Sequence, residues 1–103
     1  MVSKLLAKKA DAAADLLSAL GNSKRFLIMY HLLQEELSVG SIASRVGLSQ
    51  SALSQHLAKL RNLGLVQTRR DKQTIYYSCT SEEVRRILTT LDDIYQSYAS
   101  AAE

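Results

Sequence analysis

Apolar residues recur along most of the chain at intervals of three and four, which places them on one face of an α-helix. Glycines and capping residues divide this pattern into separate helices. The pattern predicts four helices in succession: one from about Lys8 to Leu20, a second capped by Asn22 and ended at Glu35-Glu36, a third between Ser38 and Gly47, and a fourth over residues 50–62. A final helix follows a capping box at residues 80–83, for which Thr80 is the expected cap.

Two runs between the fourth and the final helix are rich in β-forming residues instead. They are residues 65–68 and 74–79, and the polar residues 69–73 between them predict a cationic hairpin tip. Residues 37–39 can add a very short extended segment. We therefore predict a mainly α fold with a β-hairpin wing, in the order α-α-α-α-β-β-α. The chain is expected to form a single domain of residues 1–103, with its first and last helices available for dimerisation.

A single tight turn joins the third and fourth predicted helices. Gly47 can adopt positive φ at the end of the third helix, Leu48 fills the angle between the two helices, and Ser49 caps the fourth. Ala43 lies four residues before the glycine, where a small side chain lets the helices approach closely. These features predict a helix-turn-helix, and the hairpin that follows it makes this a winged helix-turn-helix.

The fourth predicted helix is polar but uncharged on the outer side of its first turns. Gln50 and Gln55 can each offer a paired donor and acceptor to adenine, and serines can bond to either kind of base edge. The alternative is a solvated surface, but such surfaces usually carry Lys and Glu. We therefore expect this helix to enter the major groove of DNA.

Charge is distributed unevenly along the chain. Residues 45–72 contain six basic residues and one acidic residue, whereas the rest of the chain contains seven basic and nine acidic residues. A basic middle is typical of a surface that binds a polyanion, and hairpin contacts to phosphate would add affinity that does not depend on base sequence. The residues expected to contact DNA are Ser49, Gln50, Ser51, Ser54, Gln55, His56, Lys59, Arg69, Arg70, Lys72, Gln73 and Thr74.

Residues that commonly carry metal or redox chemistry are few. His31 and His56 lack the neighbours of a metal site, so we expect His56 to contact a phosphate or pack against the hairpin, and His31 to be partly buried. Cys79 is the only cysteine and is expected to act as a small hydrophobe. The sequence contains no glycine-rich phosphate loop and no nucleophile with a base at interpretable spacing. It therefore predicts no enzymatic activity, no metal and no cofactor.

The first and last helices carry more apolar residues than a domain of this size readily buries by itself. These residues either complete the core or form a two-fold interface, and we favour the interface because a dimer would place two recognition helices one turn of DNA apart. The residues expected at the interface are Leu5, Leu6, Ala13, Leu16, Leu17, Leu20, Leu88, Leu91, Ile94, Tyr95 and Tyr98.

The composition is that of a globular protein, with 47% hydrophobic and 22% charged residues. No run of about eighteen apolar residues marks a membrane span, and charges interrupt the N-terminus before a signal-peptide core could form. A lone cysteine fits a reducing compartment. We expect a cytoplasmic, nucleoid-associated protein with no membrane partner.

Three segments and the hairpin that follows them resemble the ArsR/SmtB family of bacterial winged-helix repressors: Glu36–Gly40, Gly47–Leu57, Leu60–Val66 and Arg69–Tyr77. The resemblance runs from about Leu16 to Tyr98. It implies a homodimer joined by the first and last helices, with residues 50–59 in the major groove and the hairpin tip as the wing.

The chain departs from the metal-sensing members of this family. Arsenic sensors have cysteines where this chain has Ser38 and Gly40, and zinc sensors have histidines in the last helix, where this chain has none. We therefore expect a sequence-specific regulator of transcription, acting as a homodimeric repressor on double-stranded DNA without the usual metal sensor. The alternative is an architectural or protein-interaction module. The sequence does not identify a small-molecule effector.

Overall fold

A computed structural model describes the backbone of residues 2–102 and the side chains of residues 2–99. The two ends of the predicted domain, residues 1 and 103, lie outside the described residues. In chain order the elements are α1 (Lys4–Lys8), α2 (Ala10–Leu20), α3 (Ser23–Gln34), β1 (Leu37–Ser38), α4 (Val39–Val46), α5 (Gln50–Asn62), β2 (Gln67–Asp71), β3 (Thr74–Ser78) and α6 (Glu82–Ala102). The predicted mainly α fold with a β-hairpin wing is confirmed.

The first predicted helix is divided in two. Lys9 leaves helical geometry at φ −99° and ψ 20°, and its N–H donates to both Leu5 O and Leu6 O. Helical structure therefore begins at Lys4 rather than near Lys8, and a separate short helix carries the exposed Leu5 and Leu6.

Side-chain caps set the starts of α3, α4 and α5 where the sequence predicts them. The Asn22 carboxamide oxygen accepts from Lys24 N and Arg25 N, at 3.0 and 3.1 Å, and opens α3. Ser38 and Ser49 cap α4 and α5 in the same way. The prediction of Thr80 as the cap of the last helix is wrong, because Ser81 Oγ accepts from Val84 N at 3.2 Å and α6 begins one residue later.

The three strands form an antiparallel sheet in the order β1-β3-β2. Asp71 pairs with Thr74, so only Lys72 and Gln73 form the turn of the hairpin, with Lys72 at φ +59°. The predicted tip of residues 69–73 is therefore too long. Cross-strand pairs of Arg69 with Tyr76 and of Arg70 with Ile75 extend the strand.

Buried hydrophobic residues from α2 to α6 and the sheet form one core. Its largest fully buried side chains are Ile28, Met29, Leu32, Ile42, Leu53, Leu57, Leu60 and Val84. Each of the three leucines of α5 contributes about 1.5–3 kcal/mol by this burial, which fixes the orientation of the opposite face of that helix. None of the helices in the described part of the chain combines the length and apolar composition that crossing a bilayer requires.

Candidate nucleic-acid interface

The turn of the helix-turn-helix is built on Gly47. Its φ of +70° lies in the left-handed region, as predicted, and its N–H donates to Ala43 O at 2.9 Å. The Leu48 N–H donates to the same carbonyl oxygen at 3.0 Å. Leu48 then packs against the core and Ser49 caps α5. The short connection therefore holds the angle between α4 and α5.

The outer face of α5 exposes the polar residues that the sequence singles out. Gln50, Gln55 and Lys59 are all exposed, while Leu53 and Leu57 on the other side are buried. The serines are partly engaged within the chain. Ser54 Oγ donates to Gln50 O at 2.8 Å, and the hydroxyls of Ser49 and Ser51 lie 3.3 Å apart. The two glutamines are thus the better candidates for reading bases.

Arg69 is bound within the chain at the base of the hairpin, which we call the wing (Gln67–Ser78). Its Nε donates to both carboxylate oxygens of Glu36 at 2.8 Å, and its guanidinium lies 4.7 Å from the centre of the Tyr76 ring. This hydrogen bond to the Glu36 carboxylate raises the pKa of Arg69 above its ordinary value. Arg70 and Lys72 are exposed farther along the wing.

His56 contacts Arg25 of α3. Its Nδ1 lies 3.3 Å from Arg25 Nη1, and its ring is half-buried. Burial, followed by the positive charge of Arg25, lowers the pKa of His56 below its usual range. A lowered pKa favours the neutral imidazole at pH 7. The two contacts predicted for His56, with a phosphate or with the hairpin, both stay predictions.

The remaining candidates for metal or redox chemistry have structural surroundings. Cys79 is buried in the core, which raises the pKa of its thiol, so its predicted behaviour as a small hydrophobe is confirmed. His31 is half-buried and packs edge-on against the Tyr30 ring at 5.1 Å between centroids. Within the described residues, no group of three or more His, Cys, Asp or Glu side chains could hold a metal ion.

The expected interface residues divide into exposed and buried ones. Leu5, Leu17, Tyr95 and Tyr98 each expose more than half of their surface. Leu20 is only 7% exposed, so it belongs to the core of the chain itself and its predicted place at an interface is wrong. The other expected residues are exposed or partly buried: Leu6, Ala13, Leu16, Leu88, Leu91 and Ile94.

The profile of a family described as bacterial regulatory protein, arsR family, matches residues 22–68, which span α3, the helix-turn-helix and the start of the wing. The nodulation protein NolR of Rhizobium meliloti is 57% identical over 94 residues, which is 91% of this chain and 77% of that protein. The chain belongs to the ArsR family. The transcriptional activator HlyU of Vibrio cholerae is 49% identical over 88 residues, covering 85% of this chain and 82% of that protein.

Solved structures of similar proteins have the same fold. NolR from Sinorhizobium fredii superposes with a TM-score of 0.84 at 55% identity, over 92% of this chain and 95% of that chain. The transcriptional repressor BigR from Xylella fastidiosa gives 0.85 at 33% identity, over 92% and 97%. A homodimeric winged helix-turn-helix DNA-binding domain from Mycobacterium bovis gives 0.80 at 29% identity, over 97% and 93%.

Membership of the ArsR family confirms the family resemblance and the winged-helix fold. The chain is a DNA-binding winged-helix regulator of transcription. Several of its relatives are named as transcriptional activators, regulators or repressors, so the prediction of a regulator rather than an enzyme is confirmed by the comparisons.

Three residues that hold this surface in place are not among those predicted from the sequence. Lys24 and Arg25 lie in the first turn of α3, and Glu36 precedes β1. Two cations in the first turn of a helix are unfavourable beside the positive end of its dipole. This unfavourable placement indicates that Lys24 and Arg25 bind groups outside α3. No comparable local signal marks Glu36, because its partner Arg69 lies 33 residues away in the chain.

Proposed function

We propose that this ArsR-family protein binds specific sites in double-stranded DNA as a homodimer and represses transcription by covering promoter DNA. The observation that carries the proposal is the exposed polar face of α5, where Gln50 and Gln55 stand opposite a fully buried leucine stripe. A helix that is fixed on one side and offers paired donors and acceptors on the other fits the major groove.

The wing supplies the contacts that do not depend on base sequence. Arg70, Lys72, Gln73 and Thr74 are exposed around the turn and suit the phosphate backbone or the minor groove. Lys59 on α5 suits an adjacent phosphate. The proposed DNA contacts are Ser49, Gln50, Ser51, Ser54, Gln55, Lys59, Arg70, Lys72, Gln73 and Thr74. Arg69 holds the wing in position, and we assign His56 to its contact with Arg25 rather than to DNA.

Dimerisation is supported by the exposed apolar residues of the N-terminal helices and α6. Leu5, Leu17, Tyr95 and Tyr98 each expose more than half of their surface, and large exposed apolar side chains that lie together mark interaction sites. The similar domain from Mycobacterium bovis is described as homodimeric. A two-fold dimer would present both copies of α5 to one face of a palindromic site.

Repression requires only that the occupied site overlap the promoter. BigR is described as a repressor and HlyU as an activator, and both effects begin with occupancy of DNA. The exposed residues of α5 and the wing are suited to occupying a DNA site. A dimer that covers one to two turns of DNA excludes other proteins from that site.

The experiment is selection of bound sites from a random duplex pool, followed by footprinting of the selected sequence. The proposal predicts one enriched sequence with two-fold symmetry, its half-sites about 10 base pairs or a multiple of that apart. Placing the selected site over a promoter should lower transcription in a purified system. A pool with no enriched sequence would favour the architectural alternative and contradict the proposal.

A further inference from the structure

Arg25, in the first turn of α3, connects three helices through one guanidinium group. Nε donates to Ala19 O at 2.7 Å and Nη2 donates to Ser18 O at 3.1 Å, which holds the last turn of α2. Nη1 lies 3.3 Å from Nδ1 of His56, near the middle of α5. All three nitrogens of the guanidinium thus have a partner, and α2 is linked directly to α5.

The position of Arg25 is explained by these partners. A cation is unfavourable at the positive N-terminal end of its own helix but favourable at the negative C-terminal end of another. Arg25 meets the C-terminal carbonyl groups of α2, and Lys24 beside it donates from Nζ to Val46 O, at the end of α4, at 2.8 Å. The first turn of α3 therefore binds the C-terminal ends of both α2 and α4.

The contact with Arg25 also fixes the state of His56. A guanidinium has donors only, so His56 Nδ1 must be the acceptor. A neutral imidazole that accepts at Nδ1 carries its proton on Nε2. The ring is consequently held in one tautomer and one orientation on α5.

We propose that Arg25 is a positioning residue for DNA binding, which fixes α5 against α2 through His56 and thereby sets the separation of the two α5 helices in the dimer. The inference rests on the proposed function, since α2 carries part of the proposed dimer interface and α5 enters the groove. In a two-fold protein that separation determines which half-site spacing is bound.

The hydrophobic core alone does not fix the position of α5 relative to α2. The buried leucines of α5 hold the helix against α3 and α4, but α2 has its own contacts with α3. Arg25 lies at the edge of that core and links α2 to α5 by directional hydrogen bonds. Replacing it by lysine keeps the charge, but one ammonium group cannot reproduce the planar fork.

The first test does not involve DNA. Long-range 1H–15N spectra of the imidazole groups at neutral pH should show a single Nε2–H tautomer for His56, with His31 as an internal reference. Arg25→Lys should give a mixture of tautomers. The matched control is Arg45→Lys, because Arg45 on α4 pairs with Glu35 at 3.3 Å. An unchanged His56 signal in Arg25→Lys would overturn the proposal.

The second test measures half-site spacing. On the site selected by the wild-type protein, Arg25→Lys should lower affinity about tenfold and leave affinity for random duplex unchanged. Insertion of one base pair between the half-sites should weaken wild-type binding more than it weakens binding of the variant. Equal sensitivity of the two proteins to the insertion would overturn the proposal.

Variants of His56 keep the test independent of any loss of folding in Arg25→Lys. His56→Asn retains an acceptor near the position of Nδ1 and should bind close to wild type, whereas His56→Ala should lose about as much as Arg25→Lys. The double variant should be no weaker than His56→Ala alone, because the two residues act through one contact. Additive losses would overturn the proposal.

The outcomes separate this inference from the proposed function. If the wild-type protein binds the selected site and random duplex equally, the proposed function fails. The Nε2–H tautomer of His56 is measured without DNA and does not depend on that result. If wild-type binding is specific and Arg25→Lys keeps the same spacing preference, the positioning role fails and the proposed function remains.

Discussion

Two neighbouring arginines on β2 have different surroundings, although each carries one positive charge. Arg69 is bound by the Glu36 carboxylate and lies over the Tyr76 ring, while Arg70 points to the other face of the strand and is exposed. Positive charge alone therefore does not identify a DNA contact. The difference between the two residues depends on a partner that is distant in the sequence.

The salt dependence of DNA binding should distinguish these arginines. Arg70→Gln should reduce the slope of log affinity against log salt concentration by about 0.9, because one phosphate contact is lost. Arg69→Gln should leave the slope nearly unchanged, since its charge is already compensated by Glu36. Titrations at several salt concentrations measure both, and an equal reduction in the two variants would contradict this assignment.

His56 should make the protein less stable in mild acid. Because its pKa is lowered in the folded chain, the unfolded chain binds a proton at a higher pH. The contribution of the neutral His56 to the free energy of unfolding is therefore fully present above about pH 6.5. It is lost as the pH falls through the pKa that His56 has in the folded chain. Urea unfolding at a series of pH values should show this loss in the wild type and a smaller one in His56→Asn. If the free energy of unfolding falls with pH equally in the wild type and in His56→Asn, His56 is not the titrating group.

At the scale of elements, the caps of three helices could be predicted because a single polar side chain determines each start. Asn22, Ser38 and Ser49 are such residues. The start of α6 could not be placed to the residue, because Thr80 and Ser81 are both good caps by residue type. In the structure Ser81 Oγ accepts from the N–H of the buried Val84. The predicted hairpin tip of residues 69–73 is longer than the observed turn, since cross-strand pairing of Arg69, Arg70 and Asp71 overrides the loop preference of a charged run.

The turn of the helix-turn-helix gives a direct prediction with a matched control. Gly47→Ala should destabilise the protein by about 1–2 kcal/mol, because an L-residue is strained at φ +70°. Gly40→Ala should be neutral or stabilising by up to about 1 kcal/mol, because Gly40 lies in α4 with nothing within 4 Å of an added Cβ. Chemical unfolding measures both changes. Equal effects would contradict the role of the turn conformation.

For the whole molecule, helix periodicity predicted which faces are apolar, but the depth to which each side chain is buried had to come from the structure. Leu17 and Leu20 lie on the same helix, yet Leu17 is 61% exposed and Leu20 is 7% exposed. The difference arises where α2 meets α3, a contact that a one-dimensional pattern does not contain. The same limit applies to Arg25, whose partners belong to two other helices.

Dimerisation should depend on the exposed aromatic residues of α6. Tyr95→Glu places a charge in the proposed interface and should raise the dimer dissociation constant on the order of thirtyfold. Ile75→Glu is the control, because Ile75 is also exposed but lies on the wing. Sedimentation equilibrium at several concentrations measures the change. Loss of the dimer in both variants, or in neither, would contradict the proposed interface.

The central claim is that the exposed glutamines of α5 read DNA sequence, and Gln55→Ala tests it most directly. Affinity for the selected site and for random duplex should be measured at the same salt concentration, with Gln67→Ala, an exposed glutamine on β2, as the control. Gln55→Ala should bind the selected site on the order of tenfold more weakly and random duplex as before, because one bidentate base contact is lost. Equal loss on both duplexes would contradict a base-reading role for α5.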